Sequence, residues 1–187
     1  MYQICVSGAA KGHSVEEGKA LAIEAGKAIA DAGHCLMTGA TVGLPNYAAE
    51  AYKAAGGKMS VGISPASSKI EHVLKYRLPI LAYDVILYTG LHYIARDDLL
   101  INSSDAVISI GGRLGTLHEF TIAMETDTPI GLLEGGGGVG EEIHYILKAA
   151  GEGRSRRAIF NTDPAALLSE LTGMLDHDHA KYRDLYL

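Results

Sequence analysis

The sequence predicts an α/β fold, a doubly wound, mainly parallel sheet in a Rossmann-like three-layer sandwich. Short apolar runs alternate with amphipathic helical stretches along the whole chain, the pattern of a parallel sheet covered on both faces. The glycine-rich turns all follow strands, which gathers them on one edge of such a sheet. No linker, repeat or low-complexity tract divides the 187 residues, so a single Rossmann-like domain over residues 1–187 is expected.

The elements follow in order. Residues 4–7 read as a buried strand, with Gly8-Ala-Ala-Lys-Gly12 after it. Ser14 and Glu17 stand at capping-box spacing and are expected to open a helix. Leu21, Ala25, Ala28, Ile29 and Ala32 recur at helical spacing, and Gly33 ends that helix. Residues 35–38 are the second strand, followed by Gly39-Ala-Thr-Val-Gly43. A small-residue helix over 48–55 stops at Gly56-Gly57, and a third strand over 59–64 ends at Pro65. Residues 66–79 lack clean periodicity and are expected to contain loop. A strand over 85–88, a helix over 92–102 and a strand over 106–110 come next. Gly111-Gly-Arg-Leu-Gly115 then turns into a helix carrying Leu117, Phe120 and Met124. A strand over 130–133, four glycines at 135–138, a helix over 141–150 and a strand over 158–160 complete the alternation. Asp163 as N-cap with Pro164 behind it opens the last helix.

Charge and composition exclude several function classes. Lys and Arg total 16 against 22 Asp and Glu, a net charge of −6 with no basic stripe, which counts against a nucleic-acid polymer as partner. The two cysteines, Cys5 and Cys35, lie in strand-like runs and build no disulfide or zinc pattern; buried reduced thiols in a cytoplasmic protein are expected. The first residues enter a strand directly, so no signal peptide is expected. No apolar run approaches the ~20 residues that span a bilayer, so no membrane partner is expected.

The strongest chemical signal is the strand, Gly-Gly-Arg-Leu-Gly-Thr turn and helix of residues 106–119. A helix start offers free N–H groups and a positive dipole end to an anion, and Arg113 and Thr116 suit a phosphate. The bland alternative is a tight turn without ligand. Thr116 and Glu119 stand at capping-box spacing, and spacing alone favours Glu119 as a cap over a reacting carboxylate. The turn with Gly39, Thr41 and Gly43 is a second phosphate candidate, and Ser7, Gly8 and Lys11 a weaker third. None has dinucleotide G-x-G-x-x-G spacing, and no acid follows the second strand for a ribose, so NAD is disfavoured and no cofactor is expected. Residues 135–138 read as a mobile lid or a plain loop. Asp176, His177, Asp178 and His179 read as a solvated end rather than a metal site, and Arg154, Arg156 and Arg157 as a solvated basic patch.

Taken together, these motifs resemble the LONELY GUY (LOG) family within the wider SLOG group of Rossmann-like nucleotide-binding proteins. The likeness runs from Ile4-Cys-Val-Ser-Gly8 through Thr38-Gly-Ala-Thr-Val-Gly-Leu44 and Gly56-Gly57 to Leu133. The family's M-H-x-R-K segment and P-G-G-x-G-T-x-x-E turn match Arg96 and Glu119 at the same separation, with Asp105, Gly112, Gly115 and Thr116 in register. The resemblance implies hydrolysis of the N-glycosidic bond of a nucleoside 5′-monophosphate, with Arg96 and Glu119 catalytic. It implies phosphate or nucleotide contacts from Ser7, Gly8, Gly39, Thr41, Gly43, Gly111, Gly112, Arg113, Gly115 and Thr116, and a homodimer. An older label of the family, lysine decarboxylase, finds no pyridoxal phosphate motif here. Gly111 replaces the family's Pro, Arg113 its second Gly, and Asp97 and Asp98 follow the Arg in place of Lys. Gly in place of Pro is also similar to the molybdenum cofactor carrier branch, which implies the alternative of a carrier without turnover. Under that reading Glu119 is a cap and Arg96 a ligand contact.

Overall fold

The computed structural model describes residues 1–151 and 157–185, with side-chain surroundings up to residue 182; Arg154 and Arg156 lie outside the described residues. Seven strands form one sheet: β1 (Gln3–Gly8), β2 (Cys35–Thr38), β3 (Ser60–Ser64), β4 (Val85–Tyr88), β5 (Ala106–Ile110), β6 (Ile130–Leu133) and β7 (Ala158–Asn161). Every pairing is parallel, in the order β4-β3-β2-β1-β5-β6-β7. The helices are α1 (His13–Glu17), α2 (Lys19–Asp31), α3 (Leu44–Ala54), α4 (Lys69–Leu74), α5 (His92–Asn102), α6 (Leu114–Glu125), α7 (Ile143–Ala150) and α8 (Pro164–His179).

The strands are apolar on both faces because helices cover both. Ile4 and Val6 of β1 enter a core with Leu36, Ile108 and the inner faces of α2, α3 and α8. Cys5, between them, points to the opposite core with Met37, Val107 and side chains of α5, α6 and α7. This is the expected three-layer, doubly wound fold. The chain winds outward from β1 to β4, returns to lay β5 on the other side of β1, and winds outward again to β7. Neighbouring crossovers therefore part above the carboxyl ends of β1 and β5, and a crevice opens there.

Several element boundaries correct the sequence reading. Ser14 is not a cap. Gly12 precedes α1 at φ 97°, no side chain caps that helix, and Ser14 is buried inside it. The helix expected from Ser14 breaks at Gly18 into α1 and α2. Helix α3 begins at Leu44, four residues before the expected start, because Pro45 in the first turn needs no hydrogen-bond acceptor. The stretch read as loop contains α4, capped by Ser68, whose hydroxyl accepts from the Glu71 amide at 3.2 Å. Gly33 ends α2 as expected, at φ 71°, with the His34 amide donating to the Ile29 carbonyl. Asp163 caps α8 by accepting from the amides of Ala165 and Ala166. Among the described residues no helix is long and apolar enough to cross a membrane.

Candidate functional site

A cleft of about 210 Å³ occupies the crevice at the ends of β1 and β5. Ser7 and Gly8 line it from the end of β1, Gly39 and Thr41 from the turn after β2, and Arg96 from α5. Arg113, Gly115 and Thr116 at the head of α6 line it too, with Glu119 one turn further on. Nine of the expected site residues thus meet in one place. Gly43, Gly111 and Gly112 do not line the cleft. Gly43 packs the start of α3 on the Ala9 carbonyl, and Gly111 packs on the Gly136 carbonyl; a Cβ on either would stand 2.3 or 2.2 Å from that oxygen. Gly112, at φ 97°, leaves the space that the Thr116 side chain fills. These three shape the turns instead. Asp97 and Tyr93 line the cleft as well, and neither was singled out as a site residue from sequence. The run of acids after Arg96 was the available signal for Asp97.

The floor of the cleft is a buried charged cluster. Arg96 is 3% exposed, Asp97 4% and Glu119 8%. The Arg96 guanidinium lies across Gly39, where a Cβ would stand 1.7 Å from Nη1, so only a bare glycine permits this approach. Nη1 donates to the Ile63 carbonyl at the end of β3 at 3.2 Å. Nε lies 3.3 Å from Asp97 Oδ1 but makes no hydrogen bond, so the contact is charge attraction without donor alignment. The turn beneath is itself strained: Ala40 sits at φ 51°, its amide held by the Thr38 hydroxyl at 3.0 Å.

Glu119 is not the cap that its spacing suggested. Helix α6 starts at Leu114 with Arg113 before it, which moves Thr116 into the first turn and Glu119 into the second. Its carboxylate instead accepts a hydrogen bond from the Ser7 hydroxyl across the cleft. Burial pushes Glu119 up to about 7; the Asp97 charge adds to the rise, and Arg96 and Ser7 oppose it. A buried carboxyl that titrates near neutrality can take or give a proton at physiological pH. Asp97 reaches away from it to His118, whose Nδ1 lies 3.0 Å from Asp97 Oδ2. Beside the cluster, burial pushes the Cys5 thiol well up, so it stays protonated.

The other end of the cleft suits an anion. The amides of the first turn of α6 have no intrahelical acceptors, and Gly115 bares the backbone there. Arg113 brings a positive charge to the same rim.

The remaining expectations resolve elsewhere. The glycines 135–138 are not among the residues lining the cleft; they pack behind the α6 turn, and the Val139 amide donates to the Gly112 carbonyl at 2.9 Å. Arg157 is not a free patch residue: it pairs with Asp127 at 3.0 Å and with Asp178. His177 and His179 sit in the last turn of α8, and among the described residues no three His, Cys, Asp or Glu side chains converge as a metal site. Cys5 and Cys35 are both free and buried.

Comparison with known proteins gives four further findings. A model of the SLOG cluster4 family matches residues 1–168. An uncharacterized protein of Archaeoglobus fulgidus is 33% identical over 125 residues, 67% of this chain and 75% of its own length. Among solved structures, the X-ray structure of TM1055 has a TM-score of 0.75 at 26% identity, covering 91% of this chain and 99% of its own. The molybdenum cofactor (Moco) carrier protein of Chlamydomonas reinhardtii has a TM-score of 0.75 at 27% identity, covering 94% of this chain and 98% of its own.

Proposed function

The chain belongs to the SLOG cluster4 family, and from that premise we propose that its cleft binds a nucleoside 5′-monophosphate and hydrolyses the N-glycosidic bond. The observation that carries this reading is the buried Glu119, held by Ser7 beside Arg96 and titrating near neutrality. The 5′-phosphate sits at the head of α6, on the free amides and Arg113, with Thr116 and Thr41 as hydroxyl donors. The ribose then lies over the cluster. As the bond between C1′ and the base breaks, its electron pair leaves with the base, which takes up the proton that Glu119 carries. Water adds to the cationic C1′, and Glu119 accepts the proton that the water loses. Arg96 offsets the negative charge that grows on the departing base. The products are free base and ribose 5-phosphate. Two free, buried thiols fit a reducing cytoplasm.

A second reading has its own support. The likeness to a Moco carrier protein favours a carrier of a phosphorylated cofactor. The same anion site then holds the cofactor's phosphate, and Arg96 and Glu119 bind without turnover.

The chain also works as a homodimer in this proposal. Ile94 and Leu99 project from α5 into solvent, and Val85 and Leu87 lie exposed on β4.

One experiment separates the readings. The pure protein is incubated with a panel of nucleoside monophosphates, and released base is measured alongside melting temperature. Base release by wild type and not by Glu119→Gln supports the hydrolase. A raised melting temperature without release moves the assignment to the carrier. Neither effect, with no phosphorylated molecule copurifying, sinks the ligand site itself.

A further inference from the structure

The walls of the cleft come from opposite layers of the fold. Ala9 after β1 and Pro45 in the first turn of α3 line it from the layer of α2, α3 and α8. Tyr93, in the first turn of α5, lines it from the layer of α5, α6 and α7. Among the described residues that line the cleft, Tyr93 carries the one aromatic ring. That ring is half exposed, yet it is held in place. Tyr76 meets it edge to face, with centroids 5.5 Å apart at 78°. The Tyr76 hydroxyl is in turn hydrogen-bonded with His92 Nδ1 at 2.7 Å. His92 opens α5 at φ 59°, and its amide donates to the Pro65 carbonyl at 3.0 Å. A side chain seldom takes that backbone conformation. Here it sets the first turn of α5, and Tyr93 with it.

The height of the ring is also fixed. Helices α5 and α6 pack side by side, and both run back from the carboxyl edge of the sheet. Asp97 meets His118 between them at 3.0 Å. Tyr93 stands one turn before Asp97, and Leu114 one turn before His118, so the ring is level with the anion site at the head of α6. Neighbouring helix axes stand about 8–10 Å apart. Arg96 and Glu119 lie about one turn deeper on the same two helices. A ligand with its phosphate on α6 and a flat ring on Tyr93 therefore bridges the two helix heads and leaves its sugar over the buried cluster.

We propose that Tyr93 is the stacking platform for the ligand's base, so that the site selects a phosphate joined to a heteroaromatic ring over a sugar phosphate alone. The inference deepens the nucleotide reading and rests on it. Ala9 and Pro45, on the facing wall, bring apolar surface to the other side of the base. Stacking reads the flat face of a ring and not its edge, so the platform favours a large ring, a purine over a pyrimidine. Tyr93 stands where the M-H-x-R-K segment of the LOG family has Met, so the ring is this chain's own.

The test is titration calorimetry with adenosine 5′-monophosphate and ribose 5-phosphate. Both are titrated into Glu119→Gln, in which the nucleotide stays intact, and into the same protein carrying Tyr93→Ala or Tyr93→Phe. The Glu119→Gln parent is expected to bind the nucleotide about tenfold or more tighter than the sugar phosphate, the scale of one stacked base. Tyr93→Ala should remove that difference and leave ribose 5-phosphate binding unchanged. Tyr93→Phe, which keeps the ring, should retain it. Undiminished nucleotide binding by Tyr93→Ala overturns the platform alone, and so does a Tyr93→Phe variant as weak as Tyr93→Ala. Equal weakening of both probes by Tyr93→Ala also overturns it, since that marks a residue that only supports the fold. A parent that binds neither probe overturns the nucleotide reading, and the platform with it.

Discussion

At the scale of the residue, Glu119 makes a prediction about stability. Its ordinary value of 4.5 is raised to about 7 by burial first and by the Asp97 charge second. Between those values the folded chain holds a proton that the unfolded chain has released. The contribution is therefore fully present below about pH 4.5 and is lost as pH rises through about 7, a loss on the order of 3 kcal/mol. Glu119→Gln carries no such proton. Urea midpoints of both proteins at pH 5 and pH 8 should show wild type losing more stability than the variant; parallel changes would remove the basis for a buried, neutral Glu119. At this scale the sequence was informative where chemistry left a local mark. Arg96, Glu119 and the glycine turns carry spacing that a reader can see. Asp97 was visible only as a departure, because its contact to His118 joins residues 21 apart on two different helices. The capping-box reading of Glu119 failed for a related reason. The box describes an isolated helix start, whereas the buried Ser7 hydroxyl from β1 supplies a partner that no local pattern contains.

At the scale of the element, the alternation of strands and helices was legible because each strand is apolar on both faces and each glycine turn marks a boundary. What stayed hidden was a short helix whose apolar side chains do not reach the core. Helix α4 is short, and its apolar residues Ile70, Val73 and Leu74, though at helical spacing, stay exposed instead of joining the core; the Ser68 cap and the Glu71 carboxylate, which accepts from the Ser67 amide at 2.7 Å, mark its start. The break between α1 and α2 is likewise set by tertiary contact: at Gly18 a Cβ would stand 2.8 Å from Leu44 of α3. The same close approach governs Gly26 in the middle of α2. Its missing Cβ makes room for the Ala48 carbonyl of α3, which a Cβ would meet at 2.1 Å. Two effects compete in Gly26→Ala. Helix propensity favours alanine by about 1 kcal/mol. The clash is with backbone, which no rotamer change relieves, so α2 and α3 must move apart. Overpacking of this kind costs about 1–3 kcal/mol. A net loss is expected, read as a lower urea midpoint with unchanged slope. A stabilised Gly26→Ala would show that the two helices separate at little cost.

At the scale of the whole molecule, the two faces of the sheet are not equally covered. Val85 and Leu87 of β4 pair with Val61 and Ile63 of β3, so they project toward the face that α5, α6 and α7 cover further in. At β4 that cover has run out: Leu87 is 53% exposed at the sheet edge. Next to it, α5 presents Ile94, 73% exposed, along with Leu99. A protruding apolar helix beside an uncovered apolar strip is self-complementary, since a two-fold axis would lay α5 of each copy over the β4 strip of the other. Such a patch is rarely left open in a monomer. The consequence reaches the cleft, because α5 is the helix that carries Arg96 and Asp97 on its inner side. Pairing would hold α5 from outside and keep the guanidinium seated over Gly39. Wild type is therefore expected to sediment at twice the 19.7 kDa chain mass. The double variant Leu87→Asp with Ile94→Asp should sediment as a single chain, retain its circular dichroism, and bind its ligand several-fold more weakly. A wild-type protein that sediments as one chain at micromolar concentration would overturn the dimer. A monomeric variant that binds ligand as tightly as wild type would keep the dimer but cut its link to Arg96.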